Sequence, residues 1–361
     1  TNANMAKVSN VAKAAIGKIA NIDAPSSDDA FTFTMNTENA GSATKTFVLP
    51  LVNNGSINFT VDWGDSSTDT ITAYDQAEIT HEYSSTGTYT VKLEGTIRGF
   101  KFNNGGDKLK ILNISNWGDM NITDGYTFYG CNNLTSDATD SPTISTTTFR
   151  YMFLNCYDFV GSPSMNNWDV SSVTNMQSTF ANCSVFNQDL NSWNTSNVTK
   201  FESTFSSATQ FNGNVTSWDT SSATSMSQTF KSTAFNQDIS GWDTSIVTNM
   251  YGMFRRNDVF NQDISSWDTS SLTNVGYMFD SADNFNQSLA DWDIEDITTY
   301  TNFMSGVTLS TANYDAILIA WAAQNAQDSE AVHFGSSTYT SGGVAAAARA
   351  DLISTDSWTI T

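Results

Sequence analysis

Positive charge is scarce in this chain. Its 361 residues hold 15 Lys and Arg against 37 Asp and Glu, and most of the basic residues fall outside its repeats. Nucleic-acid binding rests on clustered Lys and Arg neutralising phosphate, so this balance argues against it. The same sign disfavours attraction to anionic lipid. No apolar run reaches the ~18 residues of a spanning helix, so no membrane span is expected. Histidine occurs twice, as His81 and His333, and neither sits in a nucleophile motif of the Ser-His-Asp kind. No Cys-His zinc spacing and no phosphate-cradling glycine loop is present. With no motif for catalysis or for a cofactor, a non-enzymatic role is expected.

Cysteine is nearly as rare. Cys131, Cys156 and Cys183 each follow a phenylalanine by three residues (Phe128, Phe153, Phe180), which places them in one slot of a repeat. A ladder of small buried thiols is one reading, since free cysteine behaves as a small core residue. A disulfide between neighbouring coils is the other. An odd count leaves one thiol free in either case and weakens a secreted disulfide framework.

What the chain does have is repetition. Trp168, Trp193, Trp218, Trp242, Trp267 and Trp292 step by 25, 25, 24, 25 and 25 residues, and Phe186, Phe211, Phe235, Phe260 and Phe285 by 25, 24, 25 and 25. A fixed period of this size is the signature of a solenoid. Counting from Trp193, the apolar slots are Phe186, Leu190, Val198, Phe201 and Phe205, with Ser, Thr, Asn, Gln and Asp between them. One unit cannot bury these slots alone, whereas stacking like on like builds a continuous core. The shorter copy loses its residue between Phe230 and Phe235, which marks that place as a loop.

Residues 1–30 form a basic arm and linker, with Lys7, Lys13 and Lys18 and no acid before Asp23. A phrase is written twice, in Lys7-Val8…Val11 and in Lys18-Ile19…Ile22. Lysines interrupt its apolar character, so it is not a secretory signal, and Thr1 at the start is as expected if an initiator Met had been trimmed before a small residue. The arm is expected to dock on a partner rather than to float.

Residues 31–106 alternate as short strands, in Phe31–Met35, Thr46–Leu49 and Ile57–Val61. Asp62-Trp63-Gly64-Asp65, His81-Glu82-Tyr83 and Gly87-Thr88-Tyr89-Thr90-Val91 come next, with a turn at Gly64-Asp65-Ser66. These phrases resemble the polycystic-kidney-disease (PKD) type domain, which implies an immunoglobulin-like β-sandwich serving as a spacer. Ser66 stands where that pattern has a second glycine.

Residues 107–308 are expected to form the solenoid, opening at Lys108–Ile114 with Trp117 in the tryptophan slot. Residues 135–148 read as an inserted loop. The phrases Phe-Asn-Gln-Asp-Ile, Trp-Asp-Thr-Ser and Val-Thr-Asn-Met resemble the BspA-like leucine-rich-repeat family of surface proteins. That resemblance implies one short strand per coil near Asp189–Trp193 and its equivalents, and a short helical turn around Met250–Phe254. Seven such coils would build a sheet ~34 Å long. Residues 309–361 read as a small α/β cap. One helix starts at Ser310 as N-cap, with Asp315 in its first turns and Ile317, Leu318 and Trp321 buried. A second starts near Ser341, and a last strand holds Trp358-Thr359-Ile360. The ending resembles that of BspA-like proteins, with no anchor after it. The fold class is therefore mainly β: arm, sandwich, solenoid and cap.

Stacking aligns the acids. Asp169, Asp219, Asp243, Asp268 and Asp293 follow their tryptophans, with Asn194 in the remaining copy, and Asp189, Asp238 and Asp263 form a second column. Like charges ~5 Å apart repel by about 1 kcal/mol in water. Three readings remain open: local Asx-turns, calcium bridging coils at Asp219, Asp243 and Asp268, or a glycosidase-like acid pair. The expected role is structural or adhesive. The start of the arm resembles phage virion fibre and decoration proteins, which implies a virion-surface protein docked on capsid or tail and meeting a host surface protein or glycan. A bacterial cell-surface adhesin is the alternative. An oligomer is compatible with either.

Overall fold

The computed structural model describes residues 29–361; the docking phrase at Lys7, Val8, Val11, Lys18, Ile19 and Ile22 lies outside the described residues. The protein is mainly β-structure and turns, with α-helices only near its C-terminal end among the described residues.

Alternation of apolar and polar residues builds the first strands. β1 (Phe31–Asn36), β3 (Asn58–Asp62), β4 (Thr68–Ile71), β6 (Thr88–Thr96), β7 (Ile111–Asn116) and β9 (Thr135–Ser136) make one sheet in the order β4-β3-β6-β1-β7-β9. β2 (Thr46–Val48) pairs antiparallel with β5 (Thr80–Glu82) and lies over that sheet, with the Phe33 and Phe47 rings 5.8 Å apart. Strand β4 was not expected, because Thr68-Asp69-Thr70-Ile71 offers one apolar residue. It is delivered by the turn before it, where Gly64 and Ser66 both hold positive φ, +79° and +77°. A Cβ at Gly64 would stand 2.4 Å from the Thr90 carbonyl oxygen, so glycine is needed there, while Ser66 tolerates the left-handed conformation.

The sheet does not stop at the start of the repeats. β1 pairs antiparallel with β6 on one side and with β7 on the other, and β9 pairs parallel to β7. The pairing mode thus switches from antiparallel to parallel at β7, inside the first coil. A buried ion pair sits beside this switch. Lys110 donates to the carbonyls of Ala43 and Thr46 and to Ser42 Oγ, while Asp107 accepts from Ser42 Oγ and the Val48 backbone N–H.

Residues 135–148 are not an inserted loop. Cys131 and Cys156 are a normal 25 residues apart, and β10 (Thr143–Ile144) pairs parallel with β8 (Asn121–Ile122) of the coil before. This coil lacks a tryptophan, so Trp117 meets Trp168 two coils on, edge to face with centroids 5.1 Å apart. The ruler skipped a beat while the backbone kept the period.

Each further coil places its apolar slots above the last. Trp193, Trp218 and Trp242 stack with centroids 6.3 Å apart and planes within 6°. Phe153, Phe180, Phe205 and Phe230 form a second pile at 5.6–5.8 Å. Cys131, Cys156 and Cys183 are buried free thiols in one column; Cys156 donates to the Phe128 carbonyl and Cys183 to that of Phe153. The disulfide alternative is thereby set aside. In the short copy, Thr233 Oγ1 donates to the Phe230 carbonyl at 2.8 Å, where a longer copy closes the corner with the Ala208 N–H to Phe205.

Two expectations about the coil backbone need correction. The parallel ladder does not run near Asp189–Trp193. That segment closes as a turn, with the Trp193 N–H on the Leu190 carbonyl, and the same bond recurs at Trp218, Trp242, Trp267 and Trp292. The ladder lies seven residues after each tryptophan, as single bridges linking Asn175, Lys200, Ser225, Asn249, Asn274 and Thr299. In the asparagine copies the side-chain oxygens of Asn175, Asn249 and Asn274 also capture the N–H two residues on, an Asx-turn. The segment Met250–Phe254 is likewise not helical. φ lies between 53° and 62° at Tyr151, Ser178, Ser203 and Gln228, and again four residues on at Asn155, Asn182, Ser207 and Ser232; Gly252 and Arg256 continue both series. Left-handed residues at that spacing prevent a helix. They turn alternate N–H groups outward along the stack, so Met250, Gly252, Phe254 and Arg256 donate to Asn274, Gly276, Met278 and Asp280 of the next coil.

The stack is closed by α1 (Thr311–Trp321), α2 (Val344–Ser354) and the parallel pair β11 (Ala331–Val332) and β12 (Thr359–Ile360). Ser310 caps α1 by accepting the Asn313 N–H, and Tyr314, Ile317, Leu318 and Trp321 are its buried stripe. Asp315 lies past the first turn and accepts instead from the Thr340 N–H at 2.9 Å. α2 begins at Val344 rather than near Ser341.

Candidate functional surface of the coil stack

The polar residues of the repeat divide into those that hold coils together and those left facing outward. Each tryptophan Nε1 donates to a carbonyl one coil back: Trp193 to Met165, Trp218 to Leu190, Trp242 to Val215, Trp267 to Ile239 and Trp292 to Ile264, at 2.7–3.3 Å. Trp321, in the cap helix, repeats the bond to Leu289 at 3.0 Å and so occupies the tryptophan slot from a helical frame. Trp168 is the exception, with its Nε1 buried and unpartnered, beside the coil that lacks a tryptophan.

The phrase Phe-Asn-Gln is explained by the same logic. Asn236, Asn261 and Asn286 donate their N–H to the side-chain oxygen of the asparagine one coil back, and Gln237, Gln262 and Gln287 donate to that asparagine's carbonyl. Thr199, Thr224, Thr248, Thr273 and Thr298 each send a hydroxyl to the threonine carbonyl one coil back. The motif was legible in the sequence, but these roles were not, since every partner lies about one period away.

The acid columns resolve locally. Asp169, Asp219, Asp243 and Asp268 each accept the N–H and the hydroxyl of the serine two residues on, at 3.0–3.1 and 2.6–2.7 Å. Asn194 makes the same pair with Ser196. The serine hydroxyl, then its N–H, holds the carboxyls of Asp169, Asp219 and Asp268 below the usual range. In the second column the backbone N–H of Ser240 and of Ser265 does the same for Asp238 and Asp263. Among the described residues, no three His, Cys, Asp or Glu side chains converge as a metal cage.

The histidines have structural partners. His81 stacks on Trp63 with centroids 4.7 Å apart, and its Nε2 meets Asp65 at 2.9 Å and Ser67 Oγ at 3.5 Å. Carboxylate and hydroxyl share one ring nitrogen, so no proton relay runs through this ring. Burial opposes ionisation of Asp65, but hydrogen bonds from Ser67 and His81 prevail and hold its carboxyl low. Sequence reading missed this cluster because Asp65, in the turn between β3 and β4, and His81, in the middle of β5, lie sixteen residues apart. His333 closes a cap turn by accepting the Gly335 N–H on Nδ1 at 2.9 Å.

The outward remainder is the run between each bridge residue and the second left-handed residue, from 148–155 to 299–306, with 123–130 as its counterpart in the coil before. Tyr126, Tyr129 and Tyr151 cluster there, with centroids 5.1–6.5 Å apart, under Lys101 and Arg150. Tyr251 and Tyr277 pair at 5.4 Å, and Arg255 lies over Tyr277 while bonding Asp280 at 2.8 Å. Tyr251 and Tyr277 are diagonal neighbours rather than members of one column.

No helix among the described residues is long and apolar enough to cross a membrane. The family described as "Mycoplasma protein of unknown function, DUF285" matches residues 123–235 and 215–321, together more than half of the chain. No curated protein and no solved structure matches it.

Proposed function

Because the chain belongs to the family described as Mycoplasma protein of unknown function, DUF285, we propose that it is a non-enzymatic structural and adhesive protein displayed on a surface. In this reading the coils are a BspA-like, leucine-rich-repeat-like solenoid, and the strands before them are an immunoglobulin-like spacer of PKD type. The observation that supports it is the bond from each tryptophan to the coil before it, repeated from Trp193 to Trp321, which gives a stack whose outward residues recur at fixed spacing. Such a stack presents many equivalent contacts to an extended surface. The protein serves on a virion as a decoration or fibre component. The arm at Lys7, Val8, Val11, Lys18, Ile19 and Ile22 binds a capsid or tail protein, and the stack meets a host surface protein or glycan.

A bacterial cell-surface adhesin is the second reading, favoured by the bacterial name of the matched family. Deleting residues 1–25 separates the two. Loss of particle incorporation with an unchanged melting profile supports the virion reading. Unchanged attachment to cells, with no particle association in the full chain, supports the adhesin.

A further inference from the structure

Charge is not spread evenly over the stack. Between residues 111 and 308 there are 5 Lys and Arg against 20 Asp and Glu. All five cations, Arg150, Lys200, Lys231, Arg255 and Arg256, fall on the outward turn run or its bridge residue. Only three of the twenty acids do: Asp124, Glu202 and Asp280. Two of these three are already ion-paired, Asp124 to Lys101 at 2.6 Å and Asp280 to Arg255 at 2.8 Å. One face of an anionic rod is therefore close to neutral or positive, and the half-exposed tyrosines lie on it.

The cations are also crowded against their own interest. Burial, and then the neighbouring Arg255 and Arg256, pull the Lys231 ammonium below the usual lysine range. Neither Lys231 nor Arg256 has an ion pair among the described residues. Clustering like charges costs stability that the fold alone does not require, since most equivalent positions in other coils hold uncharged residues, such as Ala181, Ser206 and Ser305 in the Lys231 row and Asn182, Ser207 and Ser281 in the Arg256 row.

We propose that this turn face is a binding strip for an anionic polysaccharide, a chain of sugar rings carrying carboxylate or sulfate groups. The inference deepens the surface-binding reading above and rests on it. Two aromatic and cationic patches, Tyr126/Tyr151 with Arg150 and Tyr251/Tyr277 with Arg255, stand four coils apart, about 19 Å at ~4.8 Å per coil. A ligand must be extended and charged at intervals to use both. Tyrosine faces suit the apolar faces of sugar rings, and guanidinium groups suit carboxylate or sulfate. The rows between the patches hold Gln177, Ser178, Ser203 and Gln228, neutral donors and acceptors fitted to sugar hydroxyls, with Glu202 the one acid among them. A nucleic acid brings a phosphate at every step, which cations this sparse do not neutralise and the flanking acid columns repel. A folded acidic protein meets the same repulsion over a wider footprint.

The test measures binding of the full chain to hyaluronate fragments, which carry a carboxylate on every second sugar, to neutral dextran and to a single-stranded oligonucleotide, at low and high salt. Hyaluronate binding that weakens with salt, with little binding of the other two, is expected. Lys231→Glu combined with Arg256→Glu should weaken it by at least about tenfold, and Tyr277→Ala by several-fold, on the scale of ion pairs and cation–π contacts. Asp243→Asn, on the acid corner, should not weaken it. Melting curves confirm that each variant folds. Equal binding to dextran, preference for the oligonucleotide, or indifference to the Lys231/Arg256 change overturns the proposal. If the full chain attaches to host cells yet ignores hyaluronate, this inference fails alone; if it attaches to no cell, the surface-binding reading fails with it.

Discussion

The Lys110 ammonium and the Asp107 carboxylate lie 3.6 Å apart with neither side chain reaching solvent. Around them, the loop from Ser42 to Val48 is tied to the start of the repeats by hydrogen bonds to both charges. The pair thus pins the strand region to the stack at the point where sheet pairing changes from antiparallel to parallel.

Removing one partner leaves the other buried and uncompensated. Lys110→Met should cost about 3–5 kcal/mol, read as a lowered denaturant midpoint. A loss below about 1 kcal/mol, typical of exposed pairs, would contradict the pinning role.

Trp218 ties three coils, stacking between Trp193 and Trp242 and donating to Leu190. Trp218→Ala should cost about 3–5 kcal/mol. Trp321→Ala should cost a similar amount, because that side chain fills the same slot from the cap. Chemical denaturation of the two variants compares them directly.

Carboxyls held below their unfolded range contribute stability that is present above the unfolded pKa and lost as pH falls through the folded one. Asp169, Asp219 and Asp268 are of this kind, held by serine hydroxyls. Ser221→Ala with Ser270→Ala should therefore lower the melting temperature at neutral pH. The difference from the parent should shrink as the pH drops below the carboxylate range. A constant difference across pH would refute the hydroxyl's role.

The same local bonds offset part of the repulsion between stacked acids, and in this reading no ion is required. Adding a chelator, or calcium, should leave the melting temperature of the full chain unchanged. A calcium-dependent rise would revive the bridging site at Asp219, Asp243 and Asp268.

Burial pushes the thiols of Cys131, Cys156 and Cys183 up, away from the reactive thiolate. Thiol reagents should label none of the 3 in the folded protein and all of them on unfolding. Labelling without denaturant would mean the column opens.

Trp193, Trp218 and Trp242 announce their column in the sequence because identical slots are the only way for a polar, acid-rich chain to build an interior. The strands around Phe33 and Val61, the Ser310 cap and the Asx-turn reading of Asp219 all rest on residues within a few positions of one another, and the period on identical residues at a fixed step. Where the ruler skipped, at residues 135–148, the same reasoning mistook a coil for a loop.

Tertiary structure decided what depends on a neighbour one period away. Asn236 could be read as a polar corner, but its bond to Asn212 needs the stacked coil to exist. Ser203 and Gln228 carry no local signal for left-handed φ; the outward N–H groups they release are satisfied only by the next coil, and that exchange replaces the anticipated helix. The gathering of Arg150, Lys231, Arg255 and Arg256 on one face is of the same kind. Spacing brought like slots together, but which face stayed poor in acid was settled by how each coil turns beneath the one above it.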